Sequence, residues 1–125
     1  MATDKQERLV LEKMGVRWAV LTAWVLDLGT RGAKAPTGIQ QRLDQTYAKL
    51  SSGCFSSCEI GCTLNEVEAT LTSMDASRGD SRVDYWTDLL GKAMGEGTPP
   101  KEVLNIPAVQ VYYSDCHMGG CNCRN

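Results

Sequence analysis

Val16-Arg17-Trp18-Ala19-Val20-Leu21-Thr22-Ala23-Trp24-Val25-Leu26-Asp27-Leu28 is the most apolar stretch of the chain. It is 13 residues long and contains Arg17 and Asp27. A membrane span needs about 20 apolar residues, so this stretch is too short and too polar to be one. Drawn as a helix, it is apolar on nearly every side. Such a helix lies at the centre of a bundle or is covered by a second chain. Upstream, Asp4 and Glu7 form a capping-box variant, so the spacing predicts a helix from about Asp4 to Leu28. Gly29 and the run Thr30 to Pro36 form the first loop.

Downstream, Ile39, Leu43, Tyr47 and Leu50 recur at spacings of four, four and three, one face of a second helix from Thr37. Gly53 offers a stop. The same stripe continues through Cys54 and Cys58, however, and a helix tolerating Gly53 would run to Gly61. Thr63-Leu64-Asn65-Glu66 matches the capping box and opens a third helix, with Leu64, Val67, Leu71 and Met74 as its apolar face. Asp75 to Asp80 is a joint. A fourth helix, from Ser81 to about Met94, carries Val83, Trp86, Leu89, Leu90 and Met94 and ends at Gly95-Glu96-Gly97. Thr98-Pro99-Pro100 caps a short turn to about Leu104. Pro107 blocks continuation, and Val109, Val111 and Tyr113 alternate with Gln110 and Tyr112 as in an extended segment.

The expected architecture is all-α: a four-helix, antiparallel bundle-like domain over residues 1–125, with a short irregular or extended Cys-rich tail. That tail, 107–125, is expected to dock on the 53–63 loop. The composition agrees. With 125 residues, 42% apolar side chains and only 4 Pro, the chain can bury a core and is not intrinsically disordered. A formal net charge of −2 leaves no basic excess with which to release counterions from nucleic acid. The opening Met1 to Arg8 mixes both charge signs, unlike a secretory n-region. A cytoplasmic protein, with no membrane segment, is the expectation.

The chemistry lies in six Cys that fall into two groups of three, Cys54, Cys58, Cys62 and Cys116, Cys121, Cys123, the second beside His117. Thiolate is a soft ligand suited to zinc or iron–sulfur clusters, and four donors complete a tetrahedral shell. The favoured expectation is that the two groups meet and bind zinc or an iron–sulfur cluster, with His117 as a further donor, in a structural or electron-transfer role. The spacings only approach those of zinc fingers and ribbons. Alternatives stand beside this one. Disulfides between the groups would staple a helical interaction module, although a reducing cytosol seldom keeps them. A thiol-redox enzyme or sensor would use Cys62, placed just before the Thr63 cap, where a helix N-terminus favours thiolate. Cys54 and Cys58 also read as buried hydrophobes extending the second helix's stripe. Hydrolysis is not expected, since His117 is the only His and no Gly-x-Ser-x-Gly elbow is present.

The tail Cys do not fit the bland alternative. A Gly-rich segment with Asp115, His117, Asn122 and Arg124 has no apolar periodicity to join. Ordering it costs about 1–2 kcal/mol per residue, which only covalent or coordinate bonds offset over so few side chains. Other acidic pairs, such as Asp84 and Asp88, read as solvated helix faces complementing the dipole. A homodimer or protein partner is expected on the apolar first helix, with Trp18 and Trp24 as anchors.

Overall fold

The structure, a computed structural model, describes residues 4–52 and 56–115. Six helices account for the regular structure among them: α1 (Asp4–Thr30), α2 (Thr37–Ser52), α3 (Ser57–Ala76), α4 (Val83–Glu96), α5 (Lys101–Leu104) and α6 (Pro107–Asp115). The fold is all-α. The central position of α1 follows from its side chains. Val16, Ala19, Val20, Leu21, Trp24 and Leu28 are buried, and α2, α3, α4 and α5 all pack on the helix.

Side-chain contacts give the directions. Arg17 reaches Asn65 and Glu68, and Trp24 reaches Asp75, so α1 and α3 run the same way. Arg42 pairs with Glu66 and Lys49 with Glu59, so α2 runs against α3. The Trp18 indole N–H donates to the Leu43 carbonyl at 3.0 Å and fixes α2 against α1. The α4 helix starts beside the end of α1, where Trp24 and Trp86 stack with centroids 6.2 Å apart. It ends at Gly97, whose φ of 80° is a left-handed conformation that glycine adopts without a Cβ clash. No helix among the described residues is long and apolar enough to cross a membrane.

Three local expectations need correction. First, α2 stops at Ser52 and does not run on to Gly61. The α3 helix starts at Ser57, six residues before the expected Thr63 cap, because Ser56-Ser57-Cys58-Glu59 is itself a Ser-x-x-Glu start. The Ser56 hydroxyl accepts from the Glu59 amide at 3.4 Å. Ile60 is thereby recruited to the buried face with Leu64, Val67 and Leu71, and Gly61 is an interior residue rather than a terminator.

Second, 107–115 is helical, not extended. Pro107 occupies the first helical position, where its missing N–H is no loss. The buried pair is Val109 and Tyr112, spaced three apart as on one helix face, while Val111 is 46% exposed. Period two was the wrong reading of 109–113. Third, the last turn of α3 includes Asp75, which is fully buried rather than part of a surface joint.

Candidate functional site

The Ser56 cap sets the geometry of the described thiols. Cys58 and Cys62 lie in the first two turns of α3, four residues apart, and so on one helix face. Both are exposed and neither is bridged to a described residue. Burial as hydrophobes therefore does not apply to Cys58, because the helix that carries it turns Ile60 and Leu64 inward instead. The position given to Cys62 in front of a helix also changes. It sits inside α3, and the thiol nearest the N-terminus is Cys58.

One turn of helix separates Cβ atoms by about 5–6 Å. A disulfide needs about 3.8 Å between them, so an intact α3 keeps these two sulfurs from bridging each other. A metal at about 2.3 Å from each sulfur accepts a wider spacing, since the side chains need only converge on a common point. The exposed pair is half of a tetrahedral shell and requires donors from elsewhere. No group of three or more His, Cys, Asp or Glu able to hold a metal occurs among the described residues. Cys54, Cys116, His117, Cys121 and Cys123 lie outside the described residues.

Two contacts bear on where those donors attach to the fold. The Lys49–Glu59 ion pair holds the last turn of α2 beside the first turn of α3. On the other side of α2, Tyr47 meets Tyr112 of α6 at 6.1 Å between ring centroids, and Trp18 touches both rings at 5.4 Å. So α6 packs through Tyr112 on Trp18 of α1 and on Tyr47 of α2, two residues before the Lys49 that pairs with Glu59. Tyr112 precedes Cys116 by four residues, which extend over at most about 14 Å.

The most densely bonded polar cluster lies elsewhere, and sequence reasoning missed it. Asp75 accepts from the Trp24 indole N–H at 2.8 Å, from both Arg31 Nη atoms at 3.0 and 2.8 Å, and from the Arg82 amide at 3.0 Å. Asp27 accepts from Arg31 at 2.7 Å, Arg82 at 2.9 Å and the Trp86 indole at 3.0 Å. The bidentate Arg31 contact holds the Asp75 carboxyl far below the usual carboxylate range, with the Trp24 and Arg82 bonds adding to it against desolvation. The same contact pushes Arg31 well above its ordinary value. Both oxygens of Asp75 are occupied and the residue is sealed from water, so it has no lone pair with which to act as a general base. The cluster ties the end of α1 to the α3–α4 joint and is structural.

Trp18 and Trp24, expected as partner anchors, are 3% and 0% exposed and sit in the chain's own core. The exposed large apolar side chain of α1 among the described residues is Leu26.

The fold and these side chains define an all-α chain with a pair of surface thiols at one end and a closed salt-bridge cluster at the other. Compared with protein-family models, with curated proteins and with solved structures, the chain matches none.

Proposed function

We propose that the chain is a small cysteine-site protein that holds zinc or an iron–sulfur cluster between Cys58 and Cys62 on α3 and donors from Cys54, Cys116, Cys121, Cys123 and His117. Its role is structural or in electron transfer. The observation that supports this is the exposed thiol pair in the first two turns of α3, one turn apart and barred from closing on itself. Thiolate donors favour soft or borderline metals over Mg2+ or Ca2+. Self-association through α1 would need side chains other than Trp18 and Trp24.

Metal analysis of protein purified without oxygen, with intact mass before and after alkylation, tests the proposal. Stoichiometric zinc or iron, with thiols that alkylate only after chelation, is the expected result. Metal-free protein with a mass deficit of about two protons per bridge replaces it with a disulfide-stapled helical module. Metal-free protein with six freely alkylating thiols defeats both.

A further inference from the structure

Cys58 and Cys62 are a complete donor set for one kind of ion. Both are exposed, and both stand on the side of α3 turned away from the buried Ile60, Leu64, Val67 and Leu71. The carboxylates nearest them in α3 are committed elsewhere. Glu59 pairs with Lys49, Glu66 with Arg42 at 3.1 Å, and Glu68 with Arg17 at 2.8 Å. Among the described residues, no third His, Cys, Asp or Glu joins the pair in a group able to hold a metal. The local donors are therefore two soft thiolates with no hard oxygen beside them. Zinc takes four donors, and Ca2+ or Mg2+ takes six or more, mostly oxygen. Copper(I), a soft d10 cation, is satisfied by two thiolates in a line.

We infer that Cys58 and Cys62 by themselves bind one copper(I) ion as a bis-thiolate bridge across the first two turns of α3. The spacing suits it. Cβ atoms one turn apart are separated by about 5–6 Å. A linear sulfur–metal–sulfur unit with bonds of about 2.3 Å holds its sulfurs about 4.6 Å apart, so the side chains converge on the ion with α3 intact. Binding forms two S–Cu bonds and releases two thiol protons to solvent, and no electron is transferred. The product carries one net negative charge. The N-terminal turns of a helix favour such a charge, and Glu59 in the same turn is already neutralised by Lys49. An exposed two-coordinate ion is open to attack by a third thiolate, which suits copper as cargo taken up and handed on. The inference goes beyond the zinc or iron–sulfur reading, because it needs none of the donors outside the described residues.

The test is an oxygen-free titration of the reduced full chain with copper(I) held as its bicinchoninate complex, whose colour fades as copper transfers. A chain with Cys54, Cys116, Cys121 and Cys123 all replaced by Ser, and with wild-type helix content by circular dichroism, should still take up one copper(I). Adding Cys58→Ser or Cys62→Ser to it should abolish uptake and leave helix content unchanged, since both side chains are exposed. In the unaltered chain, copper should shield Cys58 and Cys62 together from iodoacetamide, a readout that does not depend on a multiple variant folding. Uptake that disappears from the folded four-Ser chain, or persists in it after Cys62→Ser, overturns the two-thiol site. Copper-loaded wild type in which Cys58 and Cys62 still alkylate freely overturns it as well. Zinc titration of the same proteins separates this inference from the function proposed above. Copper uptake by the four-Ser chain beside a wild type with no zinc or iron–sulfur affinity upholds the copper site and defeats that reading. Zinc bound by the wild type, with no copper uptake by the four-Ser chain, does the reverse.

Discussion

Asp75 shows how a single residue can hold a joint together. Its carboxylate takes four hydrogen bonds: from Trp24 in α1, from Arg31 just past the end of that helix, and from Arg82, the residue before α4. Removing one partner of a buried pair costs about 3–5 kcal/mol, because the other charge is left without compensation. Asp75→Ala is expected to lose that much in urea unfolding, and Asp75→Asn somewhat less, since Asp27 still faces Arg31. The pH dependence follows from the direction of the shift. A carboxyl held below its unfolded value stabilises the fold above the unfolded pKa of about 4, and the contribution falls away as acid protonates it. The wild type should lose stability progressively below about pH 5, and Asp75→Asn should show a flatter profile there. None of this was legible in Asp75-Ala76-Ser77-Arg78-Gly79-Asp80, which reads as a polar joint. The partners Trp24 and Arg31 are 51 and 44 residues away, and only the packed fold brings them together.

Among the elements, the α2–α3 junction turns on which of two similar starts is used. Both Ser56-x-x-Glu59 and Thr63-x-x-Glu66 fit a helix opening, and the chain uses the first. Ser56→Ala should cost about 0.5–1 kcal/mol, near the low end for caps because the bond is exposed and 3.4 Å long. Thr63→Ala, inside the helix, should cost less. Measuring both variants by thermal unfolding tests the assignment. Gly91 supplies a contrast with Gly15 of α1, where a Cβ would lie 2.8 Å from the Tyr112 hydroxyl oxygen. It is interior to α4, with nothing within 4 Å of a Cβ placed there, so Gly91→Ala should stabilise by up to about 1 kcal/mol. The long elements were readable because their apolar spacing is sustained. The 27 residues of α1 and the buried Ile39, Leu43 and Leu50 of α2 follow it closely. The short α6 was not, since nine residues accommodate both a period of two and a period of three. Burial of Val109 and Tyr112, a tertiary fact, decides between them.

Across the whole molecule, the C-terminal part of the sequence comprises α6, which packs on the bundle, and a Cys-rich segment proposed above to supply metal donors. Two truncations separate their contributions. Ending the chain at Ile106 removes α6, and with it the burial of Val109 and Tyr112, each worth about 1.5–3 kcal/mol. It also uncovers Trp18 and Tyr47, the aromatic neighbours of Tyr112. Ending at Asp115 keeps that packing and deletes residues 116–125, which include the proposed donors Cys116, His117, Cys121 and Cys123. Without metal, the Asp115 truncation should therefore unfold close to the full chain, and the Ile106 truncation well below it. Adding zinc to about 100 times its dissociation constant stabilises a chain that binds only when folded by about 2.7 kcal/mol. The full chain should gain that increment and both truncations should lose most of it, because Cys54, Cys58 and Cys62 supply at most three of the four donors of a tetrahedral shell. A full chain that gains nothing from zinc or from iron–sulfur reconstitution, yet still exceeds the Asp115 truncation under non-reducing conditions only, would assign the same thiols to disulfide staples instead.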